Sequence, residues 1–432
     1  MTTGTDAPKG EEARPRRLRE WALGIGTSVV VTGLMLYVGE FALRVLRPDP
    51  GFAAIREAER QGRPYDKRAR VEVVRDLRAR GVDAVSRTIP ARLLEETPDG
   101  FYRSRISIDG REVLPLGGMS RRTIVLCNET GEYAVFESDE RGFRNPLGLW
   151  QKAPVDLVLI GDSFTIGECV PPEQALGALL RQHYPATVNL GMSGFGPLFE
   201  LATLEEYGPV LRPRRVLWFY FENDLYWFDL GIQKRSPLLL RYREPAGFRQ
   251  GLLYMQPEID ARLAELWASG AGDPVTNPVE LMEELQGTGV GRLLSFLRLA
   301  KLRTAVGALR RPPTSPAERE PADLALFESI LEQARNRVAS WGGELAFVYL
   351  PGSGNFDQDI GWRPRDDCVR NRVLAIARAL GLEVIDVQEA MEDHDDPLSL
   401  YSYRGTSILG SPHLNGEGYA FVARLVLDRI GS

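Results

Sequence analysis

Apolar and polar positions follow one another in long blocks along the chain, and the first apolar block is unbroken. Residues 1–20 are polar and rich in basic side chains, and WALGIGTSVVVTGLMLYVG then follows without a charge. A helix needs about 20 apolar residues to cross a bilayer core of roughly 30 Å. We therefore predict a tail over 1–20 and a transmembrane helix over 21–45. A cleaved signal peptide or a buried core helix would look similar, but the run is long for a signal and no small-residue cleavage site follows it.

The block after this helix is charged and then turns strand-like. From about residue 49 to residue 80 the charges have helical spacing, which is typical of a solvated face. Between residues 100 and 137 the short runs YRSRISI, TIVLC and YAVFE are separated by Gly, Asn and Asp, which is typical of strands and turns. We predict a juxtamembrane stalk and a small β-rich lead-in over residues 46–150.

After Pro154 the pattern changes to short apolar runs, each followed by a longer helical pattern. This alternation predicts an α/β domain with a parallel sheet over residues 151–432. Between the third and fourth strands, residues 225–325 form an insertion with helical patterns, which could act as a lid or partner surface. The five predicted strands span residues 156–160, 187–190, 215–221, 344–350 and 383–387.

Composition excludes several classes of function. Hydrophobic residues make up 44% and charged residues 26%, as in a folded globular protein. The net charge of -6, without a basic stripe interleaved with aromatics, argues against a nucleic-acid partner. The cysteines do not have metal-ligand spacing, so we predict no metal site, no cofactor and at most one disulfide. The chain's cysteines and histidines are Cys127, Cys169, Cys368, His183, His394 and His413.

Polar residues with acyl-transfer chemistry follow the predicted strands. Ligands of open parallel sheets bind beyond the carboxyl ends of the strands, and serine catalysis needs a nucleophile, a base and oxyanion donors. Ser163 lies where a strand turns into a helix, so its own N–H is a candidate donor. Gly194 offers an N–H without a Cβ, and Asn223 offers a side-chain amide. His413, just before the last helix, is the candidate base, and we interpret His183 and His394 as surface residues.

GDSFTIG, NLGMSG, END and HLNGEGY resemble, in order, the four signature blocks of the SGNH/GDSL hydrolases. The resemblance covers roughly residues 154–430, and ESDERGFRNP resembles membrane-anchored bacterial members. It implies a three-layer α/β/α sandwich of flavodoxin-like type around a parallel sheet. The family's defining serine, glycine, asparagine and histidine match Ser163, Gly194, Asn223 and His413.

The chain departs from the family pattern in two places. Phe221 stands two residues before Asn223, where the family has glycine, and this is expected to alter packing more than chemistry. The family's aspartate before the histidine is also missing, because Gly410 and Ser411 occupy those positions. The nearest upstream carboxylates lie in a charge run typical of a solvated loop; they are Asp393, Asp395 and Asp396.

The missing acid leaves three alternatives open. A Ser163–His413 dyad could be oriented by a backbone carbonyl or by Ser411, an acid could come from elsewhere in the chain, or catalysis could be lost.

The sequence hypothesis is a serine esterase or O-acyltransferase, with acetyl as the expected group and an acylated cell-envelope glycan as the expected substrate. The rivals are a non-catalytic glycan-binding or assembly component and a lipase. PRRLR beside the span favours a cytoplasmic N-terminus. We therefore predict a single-pass protein of the bacterial inner membrane, with its catalytic domain in the periplasm or outside the cell.

Overall fold

The computed structural model divides the chain into two compact units. One comprises Met1–Asp49 and Thr288–Pro313, and the other comprises Pro50–Gly287 and Thr314–Ser432. The residues that the structure describes are 13–46, 50–225, 230–244, 247–268, 293, 296–300, 302–303, 316–356, 367–403 and 412–431.

The first unit is built on α1, Ala13–Leu46. Its window Leu23–Leu43, 21 residues with a mean hydropathy of 1.5, is long and apolar enough to cross a membrane. Only 6% of that window is buried. Within the part of the chain that the structure describes, α1 is therefore too exposed to be a buried core helix. The single apolar helix predicted near the N-terminus is therefore present.

The second unit begins with two helices, α2 (Pro50–Arg60) and α3 (Arg70–Ala79). Short strands follow, as the alternating runs predict. β1 pairs with β6 in parallel, and β6 pairs with β7 in antiparallel fashion. The strands are β1 (Ala84–Ser86), β2 (Leu94–Glu96), β3 (Tyr102–Ser104), β4 (Ser107–Ile108), β5 (Arg111–Glu112), β6 (Thr123–Val125) and β7 (Val135–Glu137).

A five-stranded parallel sheet forms the centre of this unit. Its order is β12-β11-β10-β8-β9, and all four neighbouring pairs are parallel. The sequence predicted all five strands, because fully apolar runs mark strands that are covered on both faces. The strands are β8 (Leu157–Ile160), β9 (Thr187–Asn189), β10 (Arg215–Phe221), β11 (Glu344–Leu350) and β12 (Glu383–Asp386).

Helices cover both faces of the sheet and make the predicted three-layer sandwich. Alternate residues of each strand face opposite sides, so Val158 and Ile160 enter one core while Leu157 and Leu159 enter the other. The first core holds α6 (Pro197–Leu211), α9 (Pro316–Ala339) and α10 (Asp367–Ala379), and the second holds α5 (Leu176–Arg181), α11 (Val387–Glu392) and α12 (Gly416–Ile430).

The lead-in shares the first core, because apolar side chains of its strands pack in the same cluster as α6. Within the insertion, the described elements include α7 (Pro237–Leu240) and α8 (Gln256–Ala268). The LEEL-type pattern of the insertion, MEEL at residues 282–285, lies outside the described residues, and a lid role for the insertion stays a prediction.

Candidate active site

The nucleophile candidate Ser163 lies on a tight turn between β8 and the short helix α4, Ser163–Ile166. Gly161 makes the turn possible, since a Cβ there would lie 2.1 Å from Thr165 Oγ1 and 2.7 Å from the carbonyl oxygen of Phe219. Asp162 caps α4 by accepting a hydrogen bond from the Phe164 N–H at 2.9 Å. The turn therefore fixes the backbone on both sides of Ser163.

His413 lies against Ser163, with 2.8 Å between His413 Nε2 and Ser163 Oγ. The backbone around His413 is held from two sides. The Ser402 N–H donates to the His413 carbonyl at 2.8 Å, and Asn415 caps α12 by accepting from the Gly418 N–H at 3.0 Å. The base candidate thus stands at the start of α12 in the place predicted for it.

Glu129 of the lead-in contacts the other side of His413. Its Oε1 lies 2.9 Å from His413 Nδ1, and its Oε2 accepts from the His413 backbone N–H, also at 2.9 Å. Because an ionised carboxylate can only accept, Nδ1 carries the proton and Nε2 is left to accept the Ser163 hydroxyl. The three side chains form one hydrogen-bonded chain from Glu129 to Ser163.

The surroundings of Glu129 keep it ionised. Burial alone raises the pKa of a carboxyl group, but the attraction of His413, together with the hydrogen bonds from its ring and backbone, outweighs burial. The pKa of Glu129 therefore lies below its ordinary value. This carboxylate can hold the imidazole in one tautomer and stabilise its protonated form.

The sequence did not single out Glu129. It lies 284 residues from His413, on the loop that follows β6. Reading the first residues after every apolar run, including TIVLC of the lead-in, would have flagged the CNET segment that contains it. A carboxylate from elsewhere in the chain thus contacts His413, which is the arrangement that one of the three open alternatives requires.

The carboxylates near His413 in sequence do not reach it. Asp393, Asp395 and Asp396 are exposed, as expected of a solvated loop. Gly410 and Ser411 lie outside the described residues. His183 is exposed at the end of α5, and His394 accepts from the Asp396 N–H.

Gly194 lies in a loop that is tied to the nucleophile turn. The Met192 N–H donates to the Gly161 carbonyl at 3.2 Å. Gly194 has a φ of +76°, and a Cβ there would lie 3.0 Å from Ile89 Cγ2, so both conformation and space favour glycine. Among the described residues, the N–H groups of Ser163 and Gly194 donate no hydrogen bond, which leaves them available to a ligand.

Asn223 follows β10, the strand that pairs with β8. Its Oδ1 is buried without a hydrogen-bond partner, and its Nδ2 donates none among the described residues. Phe221, the residue in place of glycine, stacks on Phe164 with 3.9 Å between ring centroids, and Phe164 lies 4.8 Å from the His413 ring. The departure at Phe221 therefore adds apolar packing behind the imidazole.

A second buried carboxylate, Glu168, lies on the serine side of His413. Its Oε2 accepts from Ser193 Oγ at 2.7 Å and lies 3.9 Å from His413 Nε2. Arg87 forms an ion pair with it. Through Ser193, Glu168 fixes the residue that precedes Gly194.

A disulfide joins the loops that carry these groups. Cys127 and Cys169 are bonded, with 4.9 Å between their Cα atoms, and they lie close to Glu129 and Glu168 in sequence. These side chains and His413 form the groups that could hold a metal ion among the described residues. The two sulfurs bond to each other, however, and both nitrogens of His413 already face Ser163 and Glu129. The donor set present fits acid–base chemistry better than metal binding.

Comparisons with known proteins show which family the chain is similar to. The model of the GDSL-like Lipase/Acylhydrolase family matches residues 159–421. A lipase/acylhydrolase from Enterococcus faecalis is 18% identical, with a TM-score of 0.32 over 64% of this chain and 95% of that chain. The acetyl xylan esterase AlAXEase is 12% identical, with a TM-score of 0.33 over 63% of this chain and 98% of that chain. A catalytic mutant of an acetylxylan esterase from Geobacillus stearothermophilus is 16% identical, with a TM-score of 0.32 over 65% and 95%. No curated protein matches the chain.

Proposed function

Because the chain belongs to the GDSL-like lipase/acylhydrolase family and is a hydrolase of ester bonds, we propose that Ser163 is its nucleophile, His413 its base and Glu129 the residue that orients His413. The observation that carries this proposal is the hydrogen-bonded chain in which Ser163 Oγ lies 2.8 Å from His413 Nε2 and His413 Nδ1 lies 2.9 Å from Glu129.

The proposed reaction has two halves. His413 Nε2 takes the proton of the Ser163 hydroxyl while Oγ attacks the ester carbonyl carbon. The tetrahedral intermediate then collapses, and the departing alcohol takes the proton from His413. In the second half, water or an acceptor hydroxyl loses its proton to His413 and attacks the acyl–Ser163 ester. The bond between the acyl carbon and Ser163 Oγ then breaks, and Oγ takes the proton back from His413. Water completes hydrolysis, whereas a sugar hydroxyl completes O-acyl transfer.

Three donors are proposed for the oxyanion of that intermediate. The N–H groups of Ser163 and Gly194 are available, and Asn223 Nδ2 is the third. Losing one donor of this kind costs about 10²–10³ in turnover. The network of Glu168, Ser193 and Arg87 keeps the Gly194 loop in register with the nucleophile.

An acetyl group is the proposed acyl group. It rests, like the substrate, on the resemblance to anchored bacterial members. Ile89 and Ala91 lie beside Gly194, where a Cβ would be 3.0 Å from Ile89 Cγ2 and 3.6 Å from Ala91 Cβ. The proposed substrate, an acetylated cell-envelope glycan, rests on the resemblance to anchored bacterial members and on α1.

The proposed location is the outer side of a bacterial inner membrane. The apolar window Leu23–Leu43 supports an anchor, and the Cys127–Cys169 disulfide supports an oxidising compartment for the catalytic unit. Together they favour a short cytoplasmic tail and a catalytic unit in the periplasm or outside the cell.

The non-catalytic alternative depends on the distance between the base and the nucleophile. A general base must lie about 2.6–3.2 Å from the proton donor, and the 2.8 Å between His413 Nε2 and Ser163 Oγ meets that requirement. This favours turnover over simple binding. On the described residues, no observation favours a lipase.

The test is hydrolysis of p-nitrophenyl acetate by the full-length protein in detergent. We expect Ser163→Ala to remove essentially all protein-dependent turnover. Ser340→Ala, which removes an exposed hydroxyl on another element, is expected to leave the rate unchanged. Equal rates for the wild type and Ser163→Ala would overturn the serine mechanism.

A further inference from the structure

One stretch of the insertion belongs to the same compact unit as α1. This insertion segment, residues 293–303, is described at residues 293, 296–300 and 302–303. It contacts α1 through aromatic and polar groups. The Phe296 and Tyr37 rings lie 5.4 Å apart between centroids, and Tyr37 Oη donates to the Leu297 carbonyl at 3.1 Å.

Glu40 adds a third contact with the insertion segment. It is fully buried, and its Oε2 accepts from the Leu302 N–H at 2.7 Å. A carboxylate within an apolar helix is costly unless a partner satisfies it. The insertion segment supplies that partner from its own backbone.

The contacts place the insertion segment at a defined height along the apolar window. Tyr37 and Glu40 lie six and three residues before Leu43, where the window ends. At a rise of about 1.5 Å per residue, they lie roughly 9 Å and 4–5 Å inside that end. An interfacial helix buries its apolar face about 5–10 Å into the boundary between headgroups and acyl chains, which is the same depth.

The side chains that the insertion segment leaves exposed have the composition of an interfacial element. Leu293 is 57% exposed and Leu297 is 52% exposed, while Arg298 and Arg303 are exposed cations. The sequence from 288 to 313 contains no acidic residue. Its six basic residues are Arg292, Arg298, Lys301, Arg303, Arg310 and Arg311.

We propose that the insertion segment is a second membrane contact, which binds a bilayer surface carrying anionic phospholipid headgroups. Leu293 and Leu297 enter the acyl boundary, and Arg298 and Arg303 pair with headgroup phosphates. This rests on the proposed anchor, because the depth is counted along α1. Its consequence is that the insertion segment is held at the membrane by its own residues.

The test uses the full-length chain with Cys368→Ser, so that an introduced cysteine is the single free thiol. Val30→Cys lies on the exposed face of α1 (Val30 is 69% exposed) and reports on the anchor. Leu297→Cys reports on the insertion segment. Each is labelled with an environment-sensitive fluorophore in nanodiscs of phosphatidylcholine, with or without phosphatidylglycerol. Quenching by doxyl lipids and by aqueous iodide is then measured.

We expect deep doxyl lipid to quench the Val30→Cys label, shallow doxyl lipid to quench the Leu297→Cys label, and phosphatidylglycerol to increase quenching at Leu297→Cys. Each basic residue near an anionic surface contributes about 1 kcal/mol. Arg298→Glu with Arg303→Glu removes two such contributions and adds two repelled charges, so we expect partition of the insertion segment to weaken by at least about 30-fold, seen as a loss of that quenching. Arg243→Glu with Arg262→Glu, a matched pair of exposed arginines in the other unit, is expected to leave the quenching unchanged.

The outcomes separate the two proposals. Quenching at Val30→Cys with an iodide-accessible, unquenched Leu297→Cys overturns the second membrane contact and leaves the anchor standing. If the Leu297→Cys label is protected from iodide but is not quenched by lipid, protein and not lipid covers the insertion segment. That outcome also overturns the second membrane contact. An unquenched Val30→Cys overturns the anchor itself.

Discussion

At the scale of single residues, the two ring nitrogens of His413 have separate partners. Nδ1 faces Glu129, whose pKa is held below its ordinary value, and Nε2 faces the Ser163 hydroxyl. The proton is therefore directed to Nδ1, and the imidazole is aligned to receive a second proton from serine. In the proposed mechanism Glu129 acts through His413, as a positioning residue.

The first prediction concerns Glu129. Glu129→Gln keeps the size of the side chain but removes its charge, so we expect kcat for p-nitrophenyl acetate to fall by about 10²–10⁴, with KM little changed. The drop should persist across the pH profile, because the amide cannot stabilise imidazolium. Glu132→Gln, an exposed neighbour on the same loop, provides the matched control. Turnover within a few-fold of the wild type in Glu129→Gln would rule out the positioning role.

Asp162 gives a prediction about stability and pH. Burial raises its pKa from 3.8 to about 6. Between these values the folded chain keeps a proton that the unfolded chain has lost, so the free energy of unfolding falls as pH rises through this window.

Asp162→Asn keeps the helix cap without the charge. We expect it to raise the free energy of unfolding by on the order of 2–3 kcal/mol at pH 8 and to change little below pH 4. Denaturant melts at both pH values measure this; a variant less stable than the wild type at pH 8 would contradict it.

Most residues of the candidate site could be predicted from the sequence, because each lies directly after a strand or directly before a helix. Ser163 and Asn223 directly follow apolar strands of the parallel sheet, and His413 directly precedes a capped helix. Glu129 obeys no such rule within the sheet, since its role depends on how the lead-in packs against the sandwich. That packing is a tertiary contact between distant segments, which neither periodicity nor spacing encodes.

At the scale of elements, the Cys127–Cys169 disulfide joins the loop after β6 to the loop after α4. One loop carries Glu129 and the other follows Ser163 closely. The bond therefore fixes the loop that carries Glu129 relative to the turn that carries Ser163, and so joins the lead-in to the part of the chain that forms the sheet.

A prediction at the scale of elements follows from this bond. The cysteines are 42 residues apart, and closing such a loop stabilises the folded state by about 4 kcal/mol in the chain-entropy model. We expect Cys127→Ser with Cys169→Ser to lower Tm and to lower kcat, because the Glu129 loop loses its tether. Cys368→Ser serves as the control. An unchanged Tm and unchanged kcat in the double variant, or in reduced wild type, would show that the bond has neither role.

The strands of the central sheet could be predicted from the sequence, but the elements that pack on each face of the sheet could not all be predicted. β10 and β11 match the predicted bounds residue for residue, because long runs buried on both faces stand out as apolar. The shared core of the lead-in and α6 could not be read from the sequence. The lead-in strands are short and half-polar, and such patterns do not specify what covers them.

At the scale of the whole molecule, the chain combines an apolar helix with a disulfide-bearing catalytic unit. A disulfide favours an oxidising compartment, and the basic residues of α1 before its apolar window favour the cytoplasm for the N-terminal end. A chain that crosses the membrane once can have its N-terminal end in the cytoplasm and its disulfide-bearing unit in an oxidising compartment.

This topology predicts the labelling of introduced cysteines in intact spheroplasts of a Gram-negative host. In a Cys368→Ser background, Ser340→Cys on the exposed turn after α9 is expected to react with a membrane-impermeant maleimide. Thr3→Cys in the tail is expected to react only after the cells are opened. The reverse pattern would place the catalytic unit in the cytoplasm.

The most direct test of the central claim is covalent labelling of the full-length protein with a fluorophosphonate, followed by peptide mass spectrometry. The proposed chain from Glu129 through His413 to Ser163 predicts one modified residue, Ser163, with labelling abolished in Ser163→Ala and strongly slowed in His413→Asn. Modification of another residue, or unchanged labelling in His413→Asn, would contradict it.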